Sequence, residues 1–163
     1  MPTSFQLTRL QEILHSEIPL SAAMHLSVVA DGEGFVLEAP LDPNRNLQHT
    51  FFGGSLSALG LLAGWSWLRL ALREEMLEPD IVVQRSATDF LSPIPGLARA
   101  QPHAPDSETW DRFLRTLRRR GRGRIAIEVT IFTPASPDDP DSEPRGDIRL
   151  VGWYAALEPN RSA

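Results

Sequence analysis

The chain has 163 residues and 42% apolar content, which gives one ordinary domain with enough apolar side chains to bury a core. Its 16 basic and 21 acidic residues leave a net charge of -5, so the field of the whole molecule does not draw in nucleic acid. All the basic residues are arginine, and cysteine and lysine are absent; disulfides, thiolate metal sites, cysteine nucleophiles, Schiff bases and a P-loop lysine are thereby excluded.

The N-terminus lacks a basic start followed by an apolar run and a small-residue cleavage site, so the expected location is the cytoplasm. Phe5 to Glu17 place Phe5, Leu7, Leu10, Ile13 and Leu14 near one face, which predicts a short amphipathic helix capped by Thr3 or Ser4 and ended near Pro19. Val28-Val29 and Phe35-Val36-Leu37 flank Asp31-Gly32-Glu33-Gly34, a hairpin pattern in which glycine supplies the positive φ of a tight turn. Pro40 to Thr50 is too rich in turn formers for regular structure.

Phe51-Phe52-Gly53-Gly54 then opens a helix expected to run to about Glu78, before Pro79. Ser55 to Leu68 carries no charge over 14 residues, shorter than the ~20 of a membrane span, and reads as a core helix. Its leucines and tryptophans cover every direction of a helical wheel, so it must be enclosed on most sides.

Ile81–Leu91 and Leu97–Gln101 read as strands, separated by Pro93, Pro95 and Gly96. Trp110, Phe113, Leu114 and Leu117 mark a second amphipathic helix, capped by Asp106 or Ser107 and stopped at Gly121. Arg124–Thr133 alternates cleanly, and Ile148–Leu157 is the last strand. Between them, residues 134–147 hold four prolines and five acids and are expected to form a mobile loop. With no internal repeat, residues 1–163 form one domain of the α+β class, an antiparallel sheet curled around a long apolar helix.

The loop-to-helix junction, Asn44 to Ser55, carries the clearest chemical signal. The first N–H groups of a helix have no intrahelical partner and lie at the positive end of its dipole. Two glycines here, Gly53 and Gly54, leave no Cβ between those amides and a ligand, and an asparagine amide adds a donor. Such donors suit an oxyanion hole for a thioester or ester carbonyl. The bland alternative is a tight turn in which Ser55 merely caps.

Pro40-Leu41, Asn44-x-Asn46, Thr50-x-Phe52-Gly53-Gly54-Ser55-x-Ser57-Ala58-Leu59, Gly64-Trp65 and Arg119-x-Gly121-Arg122 resemble the thioesterase family typified by the YiiD C-terminal domain, a hotdog group. Ile18-Pro19-Leu20, Ile81-Val82-Val83, Leu91-x-Pro93, Trp110-x-x-Phe113 and Gly152-x-Tyr154 extend the resemblance from about Leu10 to Leu157. It implies a hotdog fold, a homodimer, and a substrate that is an acyl-CoA or acyl carrier protein thioester, with no cofactor. Members include malonyl-acyl carrier protein decarboxylases. By this resemblance Asn46 polarises the carbonyl with the Gly54 and Ser55 amides, the Ser55 or Ser57 hydroxyl orients the acyl group, and His49, Phe52, Gly53, Ser57 and Leu61 contact substrate. His49 and Phe51-Phe52 replace smaller residues of the family pattern, which predicts a narrower pocket mouth or an added imidazole.

Hotdog hydrolases generally use a carboxylate on the central helix. From Gly54 to Arg73 this helix has none, and Leu61 and Leu62 fill the position two turns after the glycines. Decarboxylating a malonyl thioester needs only donors for the enolate oxygen and an apolar wall around the departing carboxylate. This favours decarboxylation, to start fatty-acid synthesis, over hydrolysis and over a non-catalytic acyl-binding module. His49 could restore a base but reads as a polar rim residue without an orienting acid, and Asp89 reads as a solvent-facing strand acid. His15, His25, His49 and His103 lack ligand spacing, so no metal is expected.

Seven of the 16 arginines lie between Arg112 and Arg124. They read either as a solvated helix C-terminus or as a phosphate-recognising patch, with Arg119 and Arg122 contacting the nucleotide end of CoA or an acidic carrier protein. Nucleic acid is the weaker reading, because aromatics are not interleaved, and no membrane partner is expected.

Overall fold

The computed structural model describes residues 2–32, 34–135 and 145–158. Helix α1, Ser4–Glu17, starts at a capping box: the Thr3 hydroxyl accepts from the Gln6 amide while the Gln6 side chain accepts from Thr3 N–H. Leu7, Leu10 and Leu14 are its buried stripe. Pro19 does not leave the chain irregular; it occupies the first turn of a short helix, α2, Pro19–Ala23, where a missing N–H costs nothing. Strands β1, Ser27–Asp31, and β2, Gly34–Ala39, form the expected hairpin, with Asp31 opposite Gly34 and Gly32 at φ 54°.

After a single 3-10 turn at Asp42–Asn44 comes the long helix α3, Gly53–Glu74. It stops four residues short of the expected Glu78, where Met76 takes φ 59°. Strands β3, Asp80–Phe90, and β4, Ala98–His103, follow, then helix α4, Ser107–Arg120, and strands β5, Arg122–Thr133, and β6, Arg145–Leu157. Both ends of α4 are where the sequence places them: the Asp106 carboxylate accepts from Thr109 N–H, and Gly121 closes the helix at φ 64°. The Thr109 amide bond also holds the Asp106 carboxyl below its ordinary pKa. Of the loop expected over 134–147, residues 136–144 lie outside the described residues, and its last three, 145–147, belong to β6.

The strands form one antiparallel sheet in the order β1-β2-β4-β5-β6-β3. Ile125, Ile127, Val129 and Ile131 of β5 face the core, and the intervening residues face outward. Helix α3 lies on the inner face, close enough that an added Cβ at Gly60 would stand 2.9 Å from Leu150. Beside it, Tyr154 fills the space that Gly64 and Gly152 leave, and its hydroxyl donates to the Leu61 carbonyl at 2.8 Å. Burial pushes the Tyr154 phenol well above its ordinary pKa.

The register also explains α4. Strand β4 reaches along β5 only from Phe132 to Glu128, so the first half of β5 lacks a neighbour on that side. Helix α4 covers it, with the Phe113 ring 2.8 Å from where a Cβ at Gly123 would stand, and Trp110 edge-on to Trp67 of α3 at 5.4 Å. Helix α3 is long and apolar enough to cross a membrane by composition, but here it is the core helix packed on the sheet.

Candidate functional site

The loop before α3 is held by two asparagines with different tasks. Asn44 is buried; its Nδ2 donates to the Met24 and Pro40 carbonyls at 2.9 and 2.8 Å, and its own carbonyl accepts the Phe52 amide at 2.7 Å. Asn46 builds the turn above it. Its Oδ1 accepts from the Gln48 and Thr50 amides at 2.9 and 3.1 Å, while Nδ2 donates to Thr50 Oγ1 at 3.0 Å and to the Phe51 carbonyl at 3.3 Å. Both amide hydrogens expected to polarise a substrate carbonyl are therefore engaged inside the loop. His49 stands at the exposed tip with φ 60°, its backbone N–H on the Asn46 carbonyl, as a turn residue at the rim.

These bonds fix where α3 begins. Phe51 N–H donates to the Ile94 carbonyl and Phe52 N–H to Asn44, and the first helical bond runs from Leu56 N–H to Phe52. Between them the amides of Gly53, Gly54 and Ser55 have no acceptor among the described residues. The cap is Phe52, which gives no side-chain hydrogen bond, so Ser55 does not cap. The expected amide donors at Gly54 and Ser55 thus lie together at the positive end of a 22-residue helix, with Gly53 as a third.

Aromatic rings flank this end. The Phe52 ring lies directly over Gly54, leaving no room for a side chain there, and the Phe90 ring lies 3.4 Å from where a Cβ at Gly53 would be. Phe52 and Phe90 are about half exposed, at 54% and 52%. Phe51, by contrast, is buried and belongs to the core. Along α3 the expected enclosure is incomplete: Gly54 is exposed, and Ala58, Leu61, Leu62 and Trp65 are half-buried. Ser57 is half-buried too. This open, apolar side of α3 runs towards β3, where Trp65 Nε1 donates to the Ile81 carbonyl at 3.2 Å. Wheel periodicity shows that a helix is apolar all round but not whether its own chain covers it.

The helix contributes no carboxylate to its first turn. Asp89 pairs in register with Arg149 on the outer face of the sheet, away from α3. No group of three metal-binding side chains occurs among the described residues. Arg119 and Arg122 are not brought to the helix start. Arg122 opposes Leu157 near the beginning of β3, whereas Phe90, at the end of β3, stands beside Gly53. Sequence reasoning missed Asn44; nothing but its place two residues before Asn46 separated the two asparagines.

A six-stranded antiparallel sheet wrapped on one long helix is the hotdog architecture, shared with solved thioesterases. Residues 7–137 match the family described as "Putative thioesterase (yiiD_Cterm)", and the chain belongs to that family. A solved protein of unknown function from Chlorobaculum tepidum TLS is 32% identical, covering 97% of this chain and 98% of its own, with a TM-score of 0.83. A "putative thioesterase" from Shewanella oneidensis is 26% identical over 95% of this chain and 99% of its own, with a TM-score of 0.79. A probable thioesterase of unknown function from Pseudomonas aeruginosa, 18% identical over 98% and 99% with a TM-score of 0.70, shares the fold. Family and fold together make this an enzyme architecture for acyl thioesters.

Proposed function

We propose that this protein decarboxylates malonyl thioesters, carried on acyl carrier protein or coenzyme A, to the acetyl thioester that starts fatty-acid synthesis. The observation that carries this reading is the pairing of three free amides, Gly53 to Ser55, with a helix that has no Asp or Glu before Glu74. The thioester oxygen accepts hydrogen bonds from these amides. The bond from the malonyl carboxylate to the α-carbon breaks, CO2 leaves, and its electron pair forms an enolate whose charge rests on that oxygen. A proton from water then gives the acetyl thioester. Preorganised donors of this kind are worth about 2.7–4 kcal/mol each when removed. Leu61 and Phe52 supply apolar wall, and Ser57 orients the acyl group.

In this scheme Asn46 acts by holding the loop that delivers the amides. Asn46→Asp keeps the two Oδ1 acceptor bonds and loses the Nδ2 donors, whereas Asn46→Ala loses all four. A positioning role predicts more activity in Asn46→Asp than in Asn46→Ala. A direct carbonyl contact predicts that Asp, which adds negative charge beside an enolate, is at least as damaging.

The site is completed by a second copy. Strand β3 is the last in the sheet order and leaves its outer edge unpaired, with Val82, Val83, Phe90 and Leu91 exposed beside the open side of α3. Antiparallel pairing of two such edges covers both features at once. Light scattering should give twice the 18.1 kDa chain mass, and Val83→Lys should give the monomer with loss of turnover.

Hydrolysis is the second reading, favoured by the family description and by the thioesterase from Shewanella oneidensis. One experiment separates the readings: malonyl carrier protein and malonyl-CoA are incubated with enzyme in the cytoplasmic pH range and the products are weighed. Acetyl thioester supports decarboxylation. Free thiol supports hydrolysis and overturns it, and unchanged substrate at high enzyme leaves an acyl-binding module.

A further inference from the structure

The arginines between Arg112 and Arg124 fall into two adjoining groups that meet at Arg112. Helix α4 lies beside the free half of β5, and an open cleft of about 600 Å3 runs along that strand edge between them. Arg112 and Arg120 reach it from α4, Arg122 and Arg124 from β5. The floor is apolar, formed by the buried Phe113 ring with Ala155 and Leu157 of β6, and Thr109, Thr116 and Gln84 complete the wall. Arg115, Arg118 and Arg119 do not line it; they line an adjoining, more open hollow that shares Arg112 and Thr116 with the cleft.

The charge in this cleft is only partly offset: the exposed Glu158 carboxylate stands beside Gly121, 3.1 Å from where a Cβ there would be, and forms no ion pair with these arginines. Arg112 has only a loose pairing with Glu108, at 3.9 Å, and Arg120, Arg122 and Arg124 have no ion-pair partner among the described residues. Asp80, which lies opposite Leu157 in the register, makes no ion pair with them. By contrast Arg118, outside the cleft, is paired with Glu75 at 2.6 Å. A helix C-terminus prefers cations, but that preference falls off within the last turn and does not account for Arg112 in the middle of α4 or for arginines on a strand. Four like charges around one hollow repel one another unless an anion joins them.

We propose that this cleft binds a nucleotide bearing at least two phosphate groups. Guanidinium forks match phosphate oxygens two at a time, and several forks around one hollow suit a polyphosphate better than a single carboxylate. An apolar floor with an aromatic ring accepts a flat base, and the volume falls within the ~300–1,000 Å3 of small-molecule sites. The site is separate from the start of α3 in the same chain. Gln84, on the cleft wall, and Phe90, beside Gly53, are about 20 Å apart along β3 at ~3.3 Å per residue. The inference stands on the cleft alone and does not require the thioester chemistry proposed above.

Calorimetric titration of the full chain with ADP, adenosine 3',5'-bisphosphate, adenosine and inorganic phosphate tests it. Both bisphosphorylated nucleotides should bind at least tenfold more tightly than adenosine or phosphate, and less tightly as salt rises. Tighter binding of the 3',5'-bisphosphate identifies the nucleotide end of coenzyme A; tighter binding of ADP identifies a free nucleotide. Arg122→Gln/Arg124→Gln should lose at least tenfold, while Arg9→Gln/Arg115→Gln, which removes the same charge elsewhere, should stay within twofold. Melting curves check that both variants fold. No saturable binding at millimolar nucleotide, equal binding of adenosine, or equal losses in the two variants overturns the proposal. A failed titration beside normal thioester turnover would sink the cleft alone.

Discussion

The start of α3 and the cleft beside α4 both present positive potential to an anion, by different physical means. At α3 the donors are the backbone amides of Gly53, Gly54 and Ser55, fixed by the helix and by a loop whose polar groups are spent on one another. They carry no net charge, need no counterion, and cannot swing away. In the cleft the donors are exposed guanidiniums on long flexible stems, strong at low salt and weakened by screening. The first arrangement suits a charge that exists only during a reaction, because nothing has to reorganise when it develops. The second suits a ligand that arrives already charged.

Among changes that leave the assembly intact, the most damaging is expected at Gly53. As the first helical residue it has no intrahelical N–H bond to lose, Phe52 before it is extended at ψ 131°, and its Cβ position clears Phe90 at 3.4 Å. Gly53→Pro therefore deletes one amide donor while the helix still forms. Turnover should fall about 100-fold, and the fall should be the same at low and high salt, since a fixed dipole close to its target is poorly screened. Unchanged turnover would remove the Gly53 amide from the oxyanion set, and a strongly salt-dependent loss would make the two regions alike.

Sequence patterns were most informative where a residue type has only one way to satisfy itself. Thr3, Asp106 and Gly121 end their helices as expected because a cap side chain or a positive φ leaves few alternatives. The inner face of β5 was legible for the same reason, alternate isoleucines having only one side to go. Two kinds of feature were not legible. Asn44 and Asn46 are the same residue two positions apart, and only the fold determines that one is buried against Met24 and the other organises the turn. The open side of α3 was hidden because its apolar residues match a buried helix, whichever chain does the burying.

A moderate effect is expected at Tyr154, which ties β6 to α3 midway along the helix. Tyr154→Phe keeps the ring between Gly64 and Gly152 and removes the hydroxyl's bond to the Leu61 carbonyl, at a cost of about 1 kcal/mol. The pH dependence follows from the raised phenol pKa. Below the ordinary value of 10.0 both folded and unfolded chains hold the proton and this group adds no pH dependence. Above it the unfolded chain loses the proton first, so stability falls by about 1.4 kcal/mol per pH unit until the folded pKa is reached. Denaturant titrations should show this slope in the wild type and lose it in Tyr154→Phe. An identical alkaline slope in both would assign the fall to other groups.

The smallest effect belongs to the arginine-rich side. Arg118 and Glu75 join the ends of α4 and α3 through a close ion pair, yet both side chains are solvated, 53% and 34% exposed. Such a pair contributes at most about 0.5–1 kcal/mol, because screening and the ordering of two long side chains offset the attraction. Arg118→Gln should therefore lower stability by no more than that, and 0.5 M salt should erase the difference. Nucleotide binding in the cleft should be unmoved by Arg118→Gln, since this guanidinium is already paired and stands outside. A loss of nucleotide affinity matching that of Arg122→Gln/Arg124→Gln would mean that the arginines act as one diffuse field, and the contrast between a shaped anion site and a charged surface would not hold.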